Sequence, residues 1–188
     1  MAVFVEKTSN NTEGPGESIV ILESGKIVKQ VTDMKAGDIV TFGIYQQDED
    51  QSKGPEKIEW IVLDVEDHGA LMLSRHVLEA MPFNEKLRRV PWKGCTLRKW
   101  LNRDFYKTAF TAQERSLIVE MQLKNEDFIY FFRPVNTDTT DKIFLLSRDE
   151  LHKYSNIEQE QFAEATSYAG ICLYLNEVGV RPALYVKW

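Results

Sequence analysis

The chain has 188 residues, with 23 Lys and Arg against 29 Asp and Glu, and its formal net charge is −6. A hydrophobic fraction of 43% and an aromatic fraction of 11% exclude an intrinsically disordered or collagen-like chain. The acidic balance argues against a protein that coats nucleic acid, and no apolar run approaches the ~20 residues that a membrane helix needs. We therefore expect a soluble, globular protein of roughly one domain.

The N-terminal part of the sequence predicts a polar lead-in. Residues 1–17 are mostly polar and contain two glycines and a proline, which is typical of a loop. The remaining residues, 18–188, are expected to form a single domain. Two β-branched runs around Ser24-Gly25 predict a hairpin. No secretory signal precedes them, which favours a cytoplasmic location.

Several further segments have the residue pattern of strands. Residues 38–45 alternate between two faces, which predicts a strand. The strongest hairpin signal joins 58–65 to 70–74 through a turn that ends in glycine, and its largely apolar arms favour a central position in a sheet. A buried strand is expected within 142–147 and a terminal strand over 182–187.

Short helices are predicted between these strands. Apolar residues at spacings of three and four follow Thr96, a candidate N-cap, and Ser/Thr-x-x-Glu capping boxes begin at Thr111, Ser147 and Ser155. The predicted helices cover residues 97–108, 112–118, 148–154 and 157–169. Strands cluster at the two ends of the chain without βαβ alternation. This order predicts an α+β fold with a mostly antiparallel sheet and several short helices.

No arrangement of catalytic residues or metal ligands emerges from the sequence. His68, His76 and His152 are scattered, and Cys95 and Cys172 are too far apart for a redox pair or a zinc pattern. The P-loop, the nucleophile elbow and the dinucleotide glycine fingerprint are absent. We predict no catalytic residue, no metal site and no cofactor, and we expect two buried thiols rather than a disulfide.

The segment 86–107 carries eight Lys and Arg residues and a single acidic residue, Asp104. Aromatic residues lie among these charges, so the segment could bind an anion, or it could be the solvated side of a helix. The candidate ligand-binding residues are Trp92, Lys93, Arg98, Arg103 and, near the C-terminus, Arg181.

Structural roles are expected for other residues of these segments. Trp60 and Trp100 have the spacing of core residues, and Asn102 is expected to hydrogen-bond to the backbone of a neighbouring loop. Trp92 is expected either to pack in the core or to stack on a sugar or base. Arg181 is expected either to act as a structural clamp that hydrogen-bonds to loop carbonyls, or to bind an anionic ligand.

A series of motifs in a fixed order runs from Gly37 to the C-terminus. They lie at residues 37–46, 58–64, 70–74, 96–102, 105–106, 109–110, 114, 141–147, 150, 166–169 and 179–184. Through these motifs, over about four-fifths of its length, the chain resembles the bacterial family known as domain of unknown function 6273. The Leu-Arg-x-Trp-Leu-Asn and Val-Arg-Pro-Ala elements are the most specific.

This resemblance implies an α+β domain with a C-type-lectin-like or formylglycine-generating-enzyme-like fold. That broader group includes carbohydrate-binding modules, protein-binding modules and one oxidase class. The family's usual Trp-Trp-Leu-Arg-Ser-Pro-Gly block is missing between residues 169 and 179, and the paired cysteines of the oxidases have no counterpart here.

We therefore expect a non-catalytic binding or interaction module with a glycan or protein ligand. The alternatives are an enzyme of unidentified class, or an anion or nucleic-acid binder that uses segment 86–107. Nucleic acid is the less favoured partner, no membrane association is expected, and self-association into a homo-oligomer stays open.

Overall fold

The structure is a computed structural model that describes residues 3–5, 19–21, 34–46, 54–86, 90–124, 126–127, 135–136, 138–154 and 178–188. Several sequence predictions lie wholly or partly outside these residues. They include most of the lead-in 1–17, the turn and second arm of the hairpin around Ser24-Gly25, residues 87–89 of the segment 86–107, the capping box at Ser155, the helix at 157–169, and Cys172.

The described residues form mainly short strands. The strands are β1 (Val3–Val5), β2 (Ile19–Ile21), β3 (Ile39–Tyr45), β4 (Glu56–Glu66), β5 (Gly69–Ser74), β6 (Glu79–Met81), β7 (Ile118–Val119), β8 (Met121–Leu123), β9 (Glu126–Asp127), β10 (Val135–Asn136), β11 (Thr139–Asp141), β12 (Ile143–Phe144), β13 (Val178–Val180) and β14 (Ala183–Lys187). Every strand pairing among them is antiparallel. Together with the short helices described below, this confirms the predicted α+β class.

Within the described part of the chain, six strands build one central sheet. Its order is β12-β14-β5-β4-β3, and β7 pairs with β14 beside β12. The C-terminal strand β14 thus lies in the interior of the sheet, between β5 on one side and β12 and β7 on the other. Pro182 comes directly before β14, where a residue without an N–H removes no ladder hydrogen bond.

The hairpin predicted from residues 58–65 and 70–74 is confirmed. β4 and β5 pair from Trp60 with Ser74 to Glu66 with Gly69, with a register shift between Val62 and Asp64. Both arms are largely buried, as their apolar composition predicts for a central position. β4 begins at Glu56, two residues before the predicted start, because it pairs there with Tyr45 of β3.

In the described part of the chain, four two-stranded pairings lie outside the central sheet. β1 pairs with β2, β9 with β10, β6 with β13 and β8 with β11. The first of these involves Val3–Val5, which lies within the predicted lead-in 1–17. The last brings residues 139–141 alongside 121–123, and this pairing places one wall of the candidate site.

A continuous helical segment, residues 96–109, replaces the helix predicted at 97–108. It consists of α1 (Thr96–Trp100), a π-helical turn (Leu101–Phe105) and α2 (Tyr106–Ala109), and a 3₁₀ turn, Trp92–Gly94, precedes it. We refer to residues 96–109 as the central helix. In the π turn the backbone N–H of Tyr106 bonds to Leu101, five residues earlier.

The predicted N-cap at Thr96 is wrong by one residue. Thr96 already has a place in the helix, and Cys95 is the N-cap, with an extended backbone and a sulfur that accepts the backbone N–H of Arg98 at 3.3 Å. The Thr96 hydroxyl instead accepts the backbone N–H of Glu85 at 3.0 Å. Cys95 is a buried free thiol, and its burial raises the thiol pKa to about 11.

Two of the three predicted capping boxes are present in full. Helix α3 (Ala112–Leu117) begins after Thr111, whose side chain and backbone N–H both bond to Glu114. Helix α4 (Arg148–Tyr154) begins after Ser147, which makes the same reciprocal pair of hydrogen bonds with Glu150. Each box satisfies two N–H groups that a helix start leaves without partners.

The central helix packs on the sheet through aromatic side chains. The Phe105 ring lies 5.0 Å from Tyr45, and Phe110 lies 6.3 Å from Trp60 and 5.3 Å from Phe42. The indole N–H of the buried Trp60 donates to the Phe42 carbonyl at 2.7 Å, so burying the ring leaves no donor unpaired. The ring contacts of Phe105 and Phe110 hold one face of the helix against the core, and residues of the opposite face line the candidate site.

Candidate functional site

A cleft of about 340 Å³ lies where the central helix meets the segment that joins β11 to β12. Its lining combines four cations, two carboxylates and two neutral polar side chains. The lining residues are Arg98, Lys99, Asn102, Arg103, Glu120, Thr140, Asp141 and Lys142. Four of them come from the basic segment 86–107, and the other four come from β11 and the residues beside β8 and β12.

Asp141 is the buried carboxylate at the centre of one wall. Its Oδ1 accepts the Nε–H of Arg98 at 2.7 Å and also faces the terminal nitrogen of the same guanidinium. Its Oδ2 accepts the indole N–H of Trp92 and the hydroxyl of Thr139, both at 2.8 Å. A buried carboxylate is stable only when such donors compensate its lost hydration, and here the 3₁₀ turn, α1 and β11 each supply one donor residue. Asp141 therefore joins the start of the helix to β11.

Arg98 makes further contacts that hold it in place. Its terminal nitrogens donate to the carbonyl of Lys93 at 3.2 Å and to that of Thr140 at 3.4 Å. The planar guanidinium can serve several acceptors at once in this way. The Arg98 charge is thus compensated by Asp141, and the side chain is rigidly positioned at the edge of the cleft.

Asn102 connects the same two walls through backbone hydrogen bonds. Its Oδ1 accepts the N–H groups of Lys142 at 2.8 Å and Ile143 at 3.1 Å, and its Nδ2 donates to the carbonyl of Ile143 at 2.7 Å. Nδ2 also donates to the carbonyl of Arg98, one turn earlier, at 3.2 Å. These are the backbone hydrogen bonds expected of Asn102, and they satisfy the start of β12 much as a neighbouring strand would.

Two cations on the helix face the solvent side of the cleft. Lys99 is exposed and makes no ion pair with any residue that the structure describes. Arg103, one turn later and 70% exposed, forms two hydrogen bonds to Asp104 at 2.8 and 2.9 Å. This pairing raises the pKa of Arg103 and lowers that of Asp104. Because both side chains of this pair are exposed to solvent, the pairing contributes little energy. Another anion can therefore replace Asp104 on Arg103.

Lys142 supplies the cation on the opposite wall. Its ammonium lies 3.1 Å from Oε1 of Glu120 and 5.2 Å from the centre of the Tyr106 ring. Hydrogen bonding to Glu120 is the largest cause that raises the pKa of Lys142, so its charged form is favoured. The cleft is therefore flanked by positive charge from both walls.

The structure places the five candidate ligand-binding residues in different environments. Arg98 and Arg103 line the cleft. Trp92 is buried behind the cleft and donates its indole N–H to Asp141, as expected for core packing and not for stacking on a ligand. Lys93 accepts a hydrogen bond from Arg98 through its backbone carbonyl. Arg181 is 1% exposed, and its Nε–H donates to the carbonyl of Ser74 at 2.9 Å, which is the clamp geometry.

Five of the eight lining residues were not among the residues proposed from sequence: Lys99, which lies within the basic segment 86–107, and four residues outside that segment. Glu120, Thr140, Asp141 and Lys142 reach the cleft only through the pairing of β11 with β8. Asp141 and Lys142 stood within one of the motifs quoted for the family resemblance, but no role followed from that position. A useful signal was the excess of positive charge in 86–107, which required compensation from acidic residues elsewhere in the chain.

A family model described as "Domain of unknown function (DUF6273)" matches residues 67–172, which is more than half of the chain and contains every residue of the cleft. No curated protein and no solved structure matches the sequence. Among the described residues, no helix is both long and apolar enough to cross a membrane. In the same part of the chain, His, Cys, Asp and Glu side chains form no group of three or more that could hold a metal ion.

Proposed function

The chain belongs to the domain of unknown function 6273 family, and from this premise we propose that it is a non-catalytic binding module whose cleft holds an anionic group of its ligand. One observation carries the proposal. Lys99 and Arg103 on the central helix and Lys142 on the opposite wall converge on the same opening, although they come from distant parts of the sequence. The lining has four cations against two carboxylates, and an excess of positive charge attracts ligands of negative charge.

The helix geometry supports a shared role for Lys99 and Arg103. Residues four positions apart lie about 6 Å from each other on one helix face. A guanidinium has five N–H donors, and Asp104 uses only two of them, so Arg103 retains donors for a ligand. Carboxylate and phosphate groups are the ligands that such donors recognise.

The state of Asp141 favours binding over catalysis. A general base needs a lone pair within reach of the proton it removes. Both oxygens of Asp141 already accept hydrogen bonds from Arg98, Trp92 and Thr139, and the side chain is buried. Asp141 thus supports the wall of the cleft and positions Arg98, and the exposed cations remain to contact a ligand.

Calorimetric titration with inorganic pyrophosphate at low ionic strength tests this proposal. We expect saturable binding that weakens as salt is added, because ions screen exposed charges beyond ~10 Å at 0.1 M. Lys99→Gln should weaken binding about two- to fivefold, the range for one exposed charge pair. Lys107→Gln is the matched control, since Lys107 is exposed on the same helix but does not line the cleft. Equal effects of the two variants, or no binding to the unaltered protein, would overturn the proposal.

Three finer expectations from the sequence stay predictions. They are the glycan or protein nature of the whole ligand, the C-type-lectin-like fold and the cytoplasmic location. The cleft constrains the first, because the ligand has to present an anionic group to Lys99, Arg103 and Lys142.

A further inference from the structure

Glu120 is an acidic residue in a cleft that is otherwise suited to anions. Its carboxylate is 58% exposed and lies 3.1 Å from the ammonium of Lys142. Glu120 directly precedes Met121 and Lys142 directly follows Asp141. Because Met121 and Asp141 are the last registered pair at this end of β8 and β11, the antiparallel pairing brings Glu120 and Lys142 close together. The strand pairing therefore keeps these two side chains within reach of each other.

We propose that Glu120 is a specificity-determining residue of the cleft, which acts as an internal counter-ion that an incoming anion must displace from Lys142. This inference rests on the proposed anion-binding function. While Glu120 holds Lys142, a ligand gains less from that ammonium and is also repelled by the carboxylate. Since Coulomb energies scale with the product of the charges, the penalty that Glu120 imposes grows with ligand charge, so Glu120 reduces the preference of the cleft for more highly charged anions.

The other carboxylates near the cleft do not fit this role. Asp141 is buried and saturated with donors, so it cannot leave Arg98 without an uncompensated charge. Asp104 pairs with its neighbour Arg103, but Asp104 itself does not line the cleft. Glu120 lines the cleft, and its ion pair with Lys142 is exposed. Because an exposed ion pair contributes little net energy, an incoming anion can replace Glu120 on Lys142.

The test compares Glu120→Gln with the unaltered protein in titrations with inorganic phosphate and with pyrophosphate. We expect Glu120→Gln to bind pyrophosphate about three- to fivefold more tightly, with a smaller gain for phosphate. Glu56→Gln removes one exposed carboxylate from β4, outside the cleft lining, and controls for the change in net charge. A gain no larger than that of Glu56→Gln, or an equal gain for both anions, would overturn the role of Glu120.

A double-mutant cycle separates displacement from general repulsion. If Glu120 acts by holding Lys142, the gain from Glu120→Gln should largely disappear in a Lys142→Gln background. A gain that persists in full there would overturn the counter-ion mechanism. If neither the unaltered protein nor Glu120→Gln binds either anion, the anion-binding function itself fails, and the role of Glu120 fails with it. Thermal unfolding of each variant confirms that the proteins compared are folded.

Discussion

The backbone N–H of Gly43 donates a hydrogen bond of 3.2 Å to Oε1 of Glu114, which lies 71 residues later in the chain. Gly43 lies where the pairing of β3 with β4 shifts register, and its φ of +76° belongs to the left-handed region. The second oxygen of Glu114 accepts the N–H of Thr111 at 2.7 Å, in the capping box of α3. One buried carboxylate thus connects a bulge in the sheet to the start of a helix.

Gly43→Ala should therefore lower the free energy of unfolding by about 2–4 kcal/mol. An added Cβ would lie 2.6 Å from a carbon of the Phe110 ring and 2.8 Å from the Ala109 carbonyl, in a backbone conformation that side chains rarely adopt. Gly54→Ala is the matched control, because Gly54 has a φ of +73° with no atom within 4 Å of the new Cβ. It should show only the backbone cost of about 1–2 kcal/mol. Equal urea denaturation midpoints for Gly43→Ala and Gly54→Ala would contradict the predicted steric clash at Gly43.

Asn102→Ala should lower the free energy of unfolding by about 1–3 kcal/mol, because it leaves the backbone groups of Lys142 and Ile143 without their partner. Asn102→Asp keeps an acceptor and loses the donor to Ile143, so an intermediate loss is expected. Lys107→Ala removes an exposed side chain from the same helix and should have little effect. Chemical denaturation of the three variants measures these differences in the free energy of unfolding. If Asn102→Ala is as stable as the unaltered protein, the hydrogen bonds from Asn102 to the start of β12 do not stabilise the fold.

The sequence predicted those parts of the fold that depend on local patterns. The β4–β5 hairpin has β-branched arms around a glycine turn, and the boxes at Thr111 and Ser147 are short-range motifs, so each is encoded within a few residues. The helix cap was placed one residue late because cysteine is a weak capping signal and the neighbouring threonine a strong one.

The candidate site depends on contacts that a local pattern does not encode. Arg98 and Asp141 are 43 residues apart, and only the packing of the central helix beside β11 and β12 brings them together. The π turn that carries Asn102 and Arg103 likewise has no propensity signal, since it differs from an α-helix only in which carbonyl each N–H selects. The charge excess of 86–107 predicted a charged face correctly, but not which acidic residues would compensate it.

Arg181→Lys should lower the free energy of unfolding by about 1–3 kcal/mol, although the charge is kept. The buried guanidinium donates through Nε to the carbonyl of Ser74, and lysine has a methylene in place of Nε, so it has no N–H at that position. Arg103→Lys is the control, because Arg103 is exposed. Thermal unfolding distinguishes the two roles considered for Arg181. If Arg181→Lys is as stable as the unaltered protein, the clamp is wrong and the ligand-site alternative gains support.

Tyr185 should make the stability of the protein depend on alkaline pH. Its hydroxyl donates to Oε2 of Glu66 at 2.9 Å, and desolvation together with this hydrogen bond raises the phenol pKa from 10.0 to about 12. A group whose pKa is higher in the folded state stabilises the protein fully below its unfolded pKa and loses that contribution as the pH rises through the folded value. The stabilisation from Tyr185 should thus be complete below pH 10 and lost by about pH 12.

The measurement is the difference in free energy of unfolding between the unaltered protein and Tyr185→Phe across that range. Taking the difference cancels the titration of lysines and other tyrosines, which ionise in both proteins. The advantage of the unaltered protein should shrink between pH 10 and about pH 12. Glu66→Gln keeps an acceptor for the hydroxyl but removes the negative charge, so it should reduce the slope without abolishing the bond. A difference that is constant with pH would show that the Tyr185 hydroxyl titrates alike in the folded and unfolded states.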